Sequence, residues 1–311
     1  MSKKLVLMDH DGAVDDYLSV VLLMTMEEVE TLGVIVTPAD CYIQPAVSAT
    51  RKILDFMGRS EVPVAASTVR GLNPFPVLFR RDSFAVDRLP ILNEKGTIDT
   101  PLISEPGQNF MVRVLQDAAV PVTLMVTGPL TTVAQALDIA PEIETKIQEL
   151  VWMGGALNVT GNVSKDMEPG QDMSAEWNAY WDPIAIERIW QTQIPVVMCP
   201  LDITNNVPLT VEFSNLLAKQ RKYPTSDLAG QCYALAISQD YYFWDILATA
   251  YLAHPEFYQL REWETEIVTE GISQGRTKVK RGGRKIQAMD KVDTAKFYNY
   301  ILEQWARSVD S

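Results

Sequence analysis

The sequence predicts an α/β fold: a doubly wound, mostly parallel open sheet flanked by helices. Six short apolar runs rich in β-branched residues alternate with stretches of helical periodicity. The runs are apolar at successive positions, which is typical of strands covered on both faces. Alternation of such strands with helices is the pattern of doubly wound proteins. Because the chain carries no internal repeat, we expect a single domain over residues 1–311.

The predicted strands cover residues 4–9, 31–37, 62–67, 120–127, 148–155 and 194–200. The helices expected between them cover residues 16–28, 45–57, 108–117, 131–139 and 182–191. Two stretches, about 68–107 and about 158–178, have no steady period. Long irregular segments inside a compact domain are often functional, and α/β sheets bind ligands at the carboxyl ends of their strands. We therefore expect an active-site loop at 68–107 and a second irregular loop at 158–178.

Composition excludes several classes of function. The net charge of −13 argues against a nucleic-acid partner, since the phosphate backbone attracts basic surfaces. No stretch approaches the ~18 apolar residues of a membrane span, and the amino-terminal residues lack the apolar segment of a signal peptide. The three cysteines occur singly, as reduced thiols do, which predicts a cytoplasmic protein. With only two histidines, a His-rich zinc site is excluded and a Ser-His-Asp mechanism has little room.

Four acids crowd into MDHDGAVDD, residues 8–16. Asp15 or Asp16 would serve as a cap for the helix that follows. Capping does not explain Asp9 and Asp11, which follow a predicted strand directly and would face the ligand crevice. Carboxylates at that position repel one another unless a cation lies between them. We therefore favour a site for a hard divalent ion, Ca²⁺ or Mg²⁺, over simple capping.

A remote carboxylate that could complete such a site is Asp245, in YYFWDILATAYLAHPEF. A lone acid among apolar residues is costly unless it is paired or bound to metal. Its alternative role is a cap at the start of a helix.

A different reading of DHDG is the Asp-x-Asp-Gly signature of haloacid dehalogenase-type phosphatases. Ala13 breaks that pattern, and no late apolar strand of this sequence ends in paired acids.

Five sequence blocks, in order over residues 4–252, resemble the motifs of the nucleoside hydrolases. The blocks are DHDGAVDD, VTGPLTTVAQAL, VWMGGALNVTGNV, AEWNAYWDP and FWDILATAY. This family cleaves the N-glycosidic bond of ribonucleosides with a bound Ca²⁺. The finer resemblance is to the purine-preferring, inosine-adenosine-guanosine branch. Pyrimidine-tolerant branches place a His immediately before the late Asp, and this sequence has Trp244 there.

The resemblance implies a calcium site built from distant parts of the chain. Asp11 would contact both the ion and a water molecule and act as the general base. Asp16 and Asp245 would be further carboxylate ligands, and the backbone carbonyl of Thr127 a neutral one. Asp9 would orient these neighbours from behind.

The resemblance also implies a ribose site and a base site. Asp15 would accept a hydrogen bond from the sugar. The ribose hydroxyls would be held by Asn162, Glu176 and Asn178. Trp244 would stack on the purine and favour its protonation, with Asp40 assisting at the base or the ribose.

Two positions depart from the family pattern. Phe79 aligns with a second stacking Trp of the long loop, and Thr132 stands where the family usually has Asn. One assignment has an alternative, because Asn162 in TGNV is also a typical turn residue, in which case Asn158 would replace it.

Together these features predict Ca²⁺-dependent hydrolysis of purine ribonucleosides to ribose and free base, in purine salvage. The expected partners are small-molecule purine ribonucleosides, with no nucleic acid and no membrane, and the resemblance implies a homodimer or homotetramer. The alternatives are a pyrimidine or non-specific hydrolase and a calcium-dependent nucleoside-binding protein without catalysis. Trp244 in place of His argues against the first, and retention of a base at Asp11 argues against the second.

Overall fold

The computed structural model describes residues 3–236 and 240–307. Within these ranges the strands are β1 (Lys4–His10), β2 (Val29–Val36), β3 (Val64–Ala66), β4 (Leu102–Ile103), β5 (Val122–Val126), β6 (Ile147–Met153), β7 (Val196–Cys199), β8 (Tyr258–Ile267), β9 (Thr277–Val279) and β10 (Arg284–Val292). They form one sheet in the order β4-β3-β2-β1-β5-β6-β7-β10-β8-β9. The pairs from β4 to β7 and the pair of β7 with β10 are parallel, whereas β8 pairs antiparallel with β10 and β9.

Helices flank the sheet. They are α1 (Val14–Met24), α2 (Ile43–Phe56), α3 (Val77–Arg80), α4 (Asp82–Asp87), α5 (Gly107–Asp117), α6 (Thr131–Ile139), α7 (Trp177–Trp181), α8 (Pro183–Trp190), α9 (Leu201–Thr204), α10 (Val211–Gln220), α11 (Pro224–Ala236), α12 (Asp245–Ala250) and α13 (Thr294–Trp305). No helix in the described part of the chain is long and apolar enough to cross a membrane.

Two hydrophobic cores lie on opposite faces of the sheet. Val6 and Met8 of β1 belong to one core, with side chains of α1, α2, α11, α12 and α13. Leu7 of the same strand belongs to the other, with side chains of α5, α6 and α8. Successive side chains of a strand point to opposite faces, so continuous apolarity is what a strand between two helical layers requires. The predicted doubly wound, mostly parallel sheet is confirmed.

The six predicted strands correspond to β1, β2, β3, β5, β6 and β7, and the five predicted helices to α1, α2, α5, α6 and α8. The antiparallel strands β8 and β10 are absent from the prediction because their sequences, YQLREWETEI and RKIQAMDKV, intersperse charged residues and have half-exposed faces. A search for continuous apolar runs finds only strands that are buried on both faces.

Residues 68–107 contain short elements of their own: α3, α4 and β4. Two contacts hold α4 against α2. The ammonium of Lys52 lies 2.7 Å from a carboxylate oxygen of Asp87, and Ser83 Oγ accepts a hydrogen bond of 3.2 Å from the backbone N–H of Tyr42. Residues 1–2, 237–239 and 308–311 of the expected single domain lie outside the described residues.

The sheet topology positions the site. Because β1, β5 and β6 are parallel neighbours, the residues that follow them lie at the same edge of the sheet. Asp11 follows β1 and Thr127 follows β5. Open α/β sheets bind ligands at this edge.

Candidate active site

A pocket of about 240 Å³ lies at the carboxyl edge of the sheet. Four of its carboxylates form what we call the acid group: Asp11, Asp15, Asp40 and Asp245. Five of its rings form what we call the aromatic group: Phe75, Phe79, Trp177, Tyr241 and Trp244. Ten of the eleven residues that the sequence assigns to the site line this pocket, and the exception is Asp16.

Two glycines make room for Asp11. Gly12 has φ +86°, and a Cβ there would lie 2.6 Å from Cβ of Cys41. A Cβ on Gly128, in the segment after β5, would lie 2.8 Å from Cβ of Asp11. A side chain at either position would displace the turn between β1 and α1, so the glycines let this turn hold Asp11 at the pocket.

Asp11 is almost fully buried, at 2% exposure, and one of its carboxylate oxygens accepts a hydrogen bond of 3.2 Å from the backbone N–H of Asp40. Burial, followed by the neighbouring charges of Asp16 and Asp40, raises the pKa of Asp11 well above its ordinary value. A carboxylate in this environment binds a proton more readily than one in water. That property suits a general base.

Asp16 contacts the protein with both carboxylate oxygens. One accepts a hydrogen bond of 2.8 Å from the backbone N–H of Ala13, which caps the start of α1, and the other accepts one of 2.5 Å from Thr127 Oγ1. The capping role that the sequence offers for Asp16 is therefore present. The carbonyl of Thr127, the expected neutral ligand, accepts a hydrogen bond of 2.9 Å from the side-chain amide of Asn178.

Asp15 holds the beginning of α12. One carboxylate oxygen accepts hydrogen bonds from the backbone N–H groups of Trp244 (3.1 Å) and Asp245 (2.9 Å). Burial and the charge of Asp16 raise the pKa of Asp15 to about 6. α12 begins at Asp245 with Trp244 in the N-cap position, so Asp245 lies in the first turn of this helix, where its alternative role would place it. Burial and the charge of Asp15 raise the pKa of Asp245 well above its ordinary value.

The acid group fits a hard cation in its chemistry. Its donors are all carboxylate oxygens, the ligands that Ca²⁺ prefers, and burial with mutual repulsion raises the pKa of each member. Among residues 3–236 and 240–307, a buried oxygen of Asp40 has no hydrogen-bond partner. In the same ranges, no three His, Cys, Asp or Glu side chains are already arranged to hold an ion. Each carboxylate oxygen of Asp16 accepts one hydrogen bond, from Ala13 and from Thr127.

Asp9 lies behind the pocket, fully buried at the end of β1. One of its oxygens accepts a hydrogen bond of 2.7 Å from Thr37 Oγ1, and that hydroxyl lies 2.6 Å from Thr132 Oγ1. Burial raises the pKa of Asp9 to about 8. The observed hydrogen bond of Asp9 is to Thr37, so its expected role in orienting the neighbouring acids stays a prediction. Thr132, the departure from the family pattern, belongs to the same hydrogen-bonded chain.

The residues expected at the ribose lie on the segment before α7 and on α7 itself. Glu176 accepts hydrogen bonds from the backbone N–H groups of Gly155 (2.8 Å), Asn178 (2.9 Å) and Ala179 (3.1 Å), so it also caps α7. Burial raises the pKa of Glu176 in spite of these bonds. Asn162 lines the pocket, whereas Asn158 does not.

The aromatic group is built from three segments. Phe75 precedes α3 and Phe79 lies in it. Trp177 of α7 contacts both rings, with centroid distances of 5.4 Å to Phe75 and 6.1 Å to Phe79. Trp244 precedes α12 and lies edge-to-face with Tyr241 at 4.7 Å. The indole N–H of Trp244 is buried and has no hydrogen-bond partner among the described residues. Its ring is therefore oriented by packing.

Sequence reasoning missed seven residues that line the pocket: Ala13, Phe75, Asp82, Met153, Trp177, Asp240 and Tyr241. Two of them carried a usable signal. Trp177 lies between the assigned residues Glu176 and Asn178, and Tyr241 lies three residues before Trp244 in an aromatic run.

Comparisons with known proteins agree on one family. A family model described as inosine-uridine preferring nucleoside hydrolase matches residues 6–299. The crystal structure of an inosine-uridine preferring nucleoside hydrolase from Bacillus anthracis is 43% identical with a TM-score of 0.93, covering 97% of this chain and 99% of that one. A purine-preferring ribonucleoside hydrolase from Gardnerella vaginalis has a TM-score of 0.79 at 23% identity, covering 97% and 98%, which shows the shared fold alone.

Among curated proteins, the pyrimidine-specific ribonucleoside hydrolase RihA of Escherichia fergusonii is 32% identical over 215 residues. The match covers 67% of this chain and 63% of that protein, so the chain spans less than two thirds of the curated relative's length.

Proposed function

This chain belongs to the inosine-uridine preferring nucleoside hydrolase family, and we propose that it is a Ca²⁺-dependent hydrolase of purine ribonucleosides. It would cleave the N-glycosidic bond to release ribose and the free base, as a cytoplasmic homodimer or homotetramer in purine salvage. The observation that carries the proposal is one pocket lined by both the acid group and the stacking ring of Trp244.

Within this proposal, Asp11 is the general base. The purine leaves C1′ of ribose through an oxocarbenium-like transition state, and the oxygen of a water molecule attacks C1′. Asp11 takes a proton from that water, since its carboxylate lines the pocket where the water would lie. Asp11, Asp16, Asp245 and the carbonyl of Thr127 would hold the ion. When bound, Ca²⁺ lowers the pKa of the water and balances the charge of the acid group.

Polar residues around the acid group would hold the sugar. Asp15 accepts a hydrogen bond from a ribose hydroxyl, and Asn162, Glu176 and Asn178 bind the remaining hydroxyls; all four line the pocket. Positioning of this kind supplies much of the rate enhancement when reacting groups are held in attack geometry.

The base would lie against the aromatic group. Trp244 stacks on the purine and stabilises its protonated form, because an indole face attracts positive charge. Asp40 assists at the base or the ribose, and Phe79 contributes a second, smaller stacking face. These contacts make the purine a better leaving group.

A second candidate is hydrolysis of pyrimidine ribonucleosides. It is favoured by the curated relative, which is named pyrimidine-specific. Trp244 argues for a purine substrate, because the pyrimidine-tolerant branches of the family have His at the position that Trp244 occupies in this chain.

One experiment separates the candidates. The purified protein is incubated with inosine and with uridine, and free ribose is measured. Faster release from inosine supports the proposal, and equal or faster release from uridine overturns the purine preference. Absence of release from both, with nucleoside binding detected by calorimetry, would instead establish a binding protein.

A further inference from the structure

The phenol of Tyr241 is hydrogen-bonded to Asp15. Its hydroxyl donates a hydrogen bond of 2.9 Å to one carboxylate oxygen of Asp15 and accepts one of 3.3 Å from the backbone N–H of the same residue. Burial and the charge of Asp15 raise the pKa of Tyr241 well above its ordinary value, so the hydroxyl keeps its proton. Two bonds from one phenol fix the orientation of the Asp15 carboxylate.

The other carboxylate oxygen of Asp15 is held by the backbone N–H groups of Trp244 and Asp245. Asp15 is thus held between a phenol on one side and the start of α12 on the other. Loss of the phenol hydroxyl would free one oxygen, and the carboxylate could then rotate away from the two backbone groups.

The ring of Tyr241 has a separate contact. It lies 4.7 Å from the ring of Trp244 at an interplanar angle of 71°, an edge-to-face arrangement that aromatic pairs favour. The ring of Tyr242 also contacts Trp244, with centroids 5.6 Å apart. Since the indole N–H of Trp244 has no hydrogen-bond partner among the described residues, packing against these rings orients it, and Tyr241 is the nearer of the two. Both Tyr241 and Trp244 line the pocket.

We propose that Tyr241 is a positioning residue that couples the two sides of the pocket: its hydroxyl fixes Asp15 for the sugar, and its ring fixes Trp244 for the base. This inference rests on the proposed function. It assigns the hydroxyl and the ring to different substrate groups, and two substitutions separate them.

The test compares Tyr241→Phe, which removes only the hydroxyl, with Tyr241→Leu, which also removes the ring. Tyr242→Phe is the matched control, because Tyr242 is adjacent in sequence, is not among the residues that line the pocket, and keeps its ring contact with Trp244 in this variant. Each variant is assayed on inosine and on 4-nitrophenyl riboside, whose leaving group needs no purine contact. Circular dichroism melts establish that the variants are folded.

Tyr241→Phe is expected to lower kcat about tenfold on both substrates, the loss of one charge-assisted hydrogen bond. Tyr241→Leu is expected to lower kcat further on inosine but not on the nitrophenyl substrate. In an Asp15→Asn background, Tyr241→Phe should cost little more, because Asp15→Asn already removes the charge that strengthens the same bond.

Three results would overturn the inference alone: Tyr241→Phe behaving like Tyr242→Phe, Tyr241→Leu lowering kcat equally on both substrates beyond Tyr241→Phe, or full additivity with Asp15→Asn. If the wild-type protein releases ribose from neither substrate, the proposed function fails and this inference fails with it.

Discussion

The acid group and the aromatic group line the same pocket but are held in different ways. Asp11, Asp15 and Asp245 are 1–4% exposed, and backbone N–H groups at the carboxyl edge of the sheet hold the carboxylates of Asp11 and Asp15. The aromatic rings come from the segment around α3, from α7 and from the residues before α12, and they pack edge-to-face or tilted against neighbouring rings.

This difference suggests separate roles: the acid group for cleavage of the glycosidic bond and the aromatic group for selection of the base. Buried carboxylates with raised pKa values cost stability, so a fold that retains four of them in one pocket gains something else from their position. Rings on connecting segments tolerate substitution more readily. We therefore expect changes in the acid group to abolish turnover and changes in the aromatic group to alter rate and preference among bases.

The largest effect is expected for Asp11→Asn. The amide keeps the shape of the carboxylate but cannot take the proton of the attacking water, so kcat on inosine should fall about 10²- to 10⁴-fold. Steady-state ribose release measures it. Asp138→Asn is the matched control, since that acid is exposed, lies outside the pocket and pairs with Arg188 at 2.8 Å. A loss below tenfold for Asp11→Asn would remove it as the base.

A smaller loss is expected for Trp244→Ala. Stacking on a base contributes about 1–3 kcal/mol, so kcat on inosine should fall about tenfold to a hundredfold. On 4-nitrophenyl riboside the rate should change little, because that leaving group departs without protonation. An equal loss on both substrates would show that Trp244 acts through the sugar side and would break the distinction between the groups.

Asn162→Ala tests the assignment at the ribose. Loss of one hydroxyl contact should raise KM for inosine about fivefold to tenfold. Asn158→Ala serves as the control, because Asn158 lies outside the pocket and should leave KM unchanged. If Asn158→Ala has the larger effect, the two asparagines have exchanged roles.

The smallest effect is expected for Phe79→Trp. An indole offers a larger and more electron-rich face than a phenyl ring, so kcat/KM on inosine should rise about twofold to fivefold, with no gain on uridine. Phe84→Trp, at a half-exposed ring of α4, is the control. A decrease on inosine would show that the pocket has no room for the larger ring.

The buried part of the fold could be predicted from the sequence, and the reason is physical. Strands between two helical layers must be apolar at every position, as β1 is, and this signal is strong. The pair β8 and β10 is covered less completely and intersperses charges, so its pattern is weak. The position of Asp11 followed from the same rule, because a strand end in an α/β sheet faces the crevice.

Contacts between distant segments could not be predicted in this way. The bonds from Asp15 to Trp244 and Asp245 join residues about 230 positions apart, and local patterns carry no information about them. The same holds for the orientation of Asn162 and Asn158, which share one irregular segment. The family resemblance assigned residues to the metal, ribose and base sites, whereas Tyr241 was identified only from its contacts in the structure.

The most direct test of the central claim is ribose release from inosine before and after removal of Ca²⁺. The purified protein is dialysed against a calcium chelator, assayed, and assayed again after Ca²⁺ is restored. We expect loss of at least 90% of the activity, about one decade in rate, with recovery on Ca²⁺ addition. Full activity of the chelated protein on inosine would contradict it, as would the absence of ribose release at any calcium concentration.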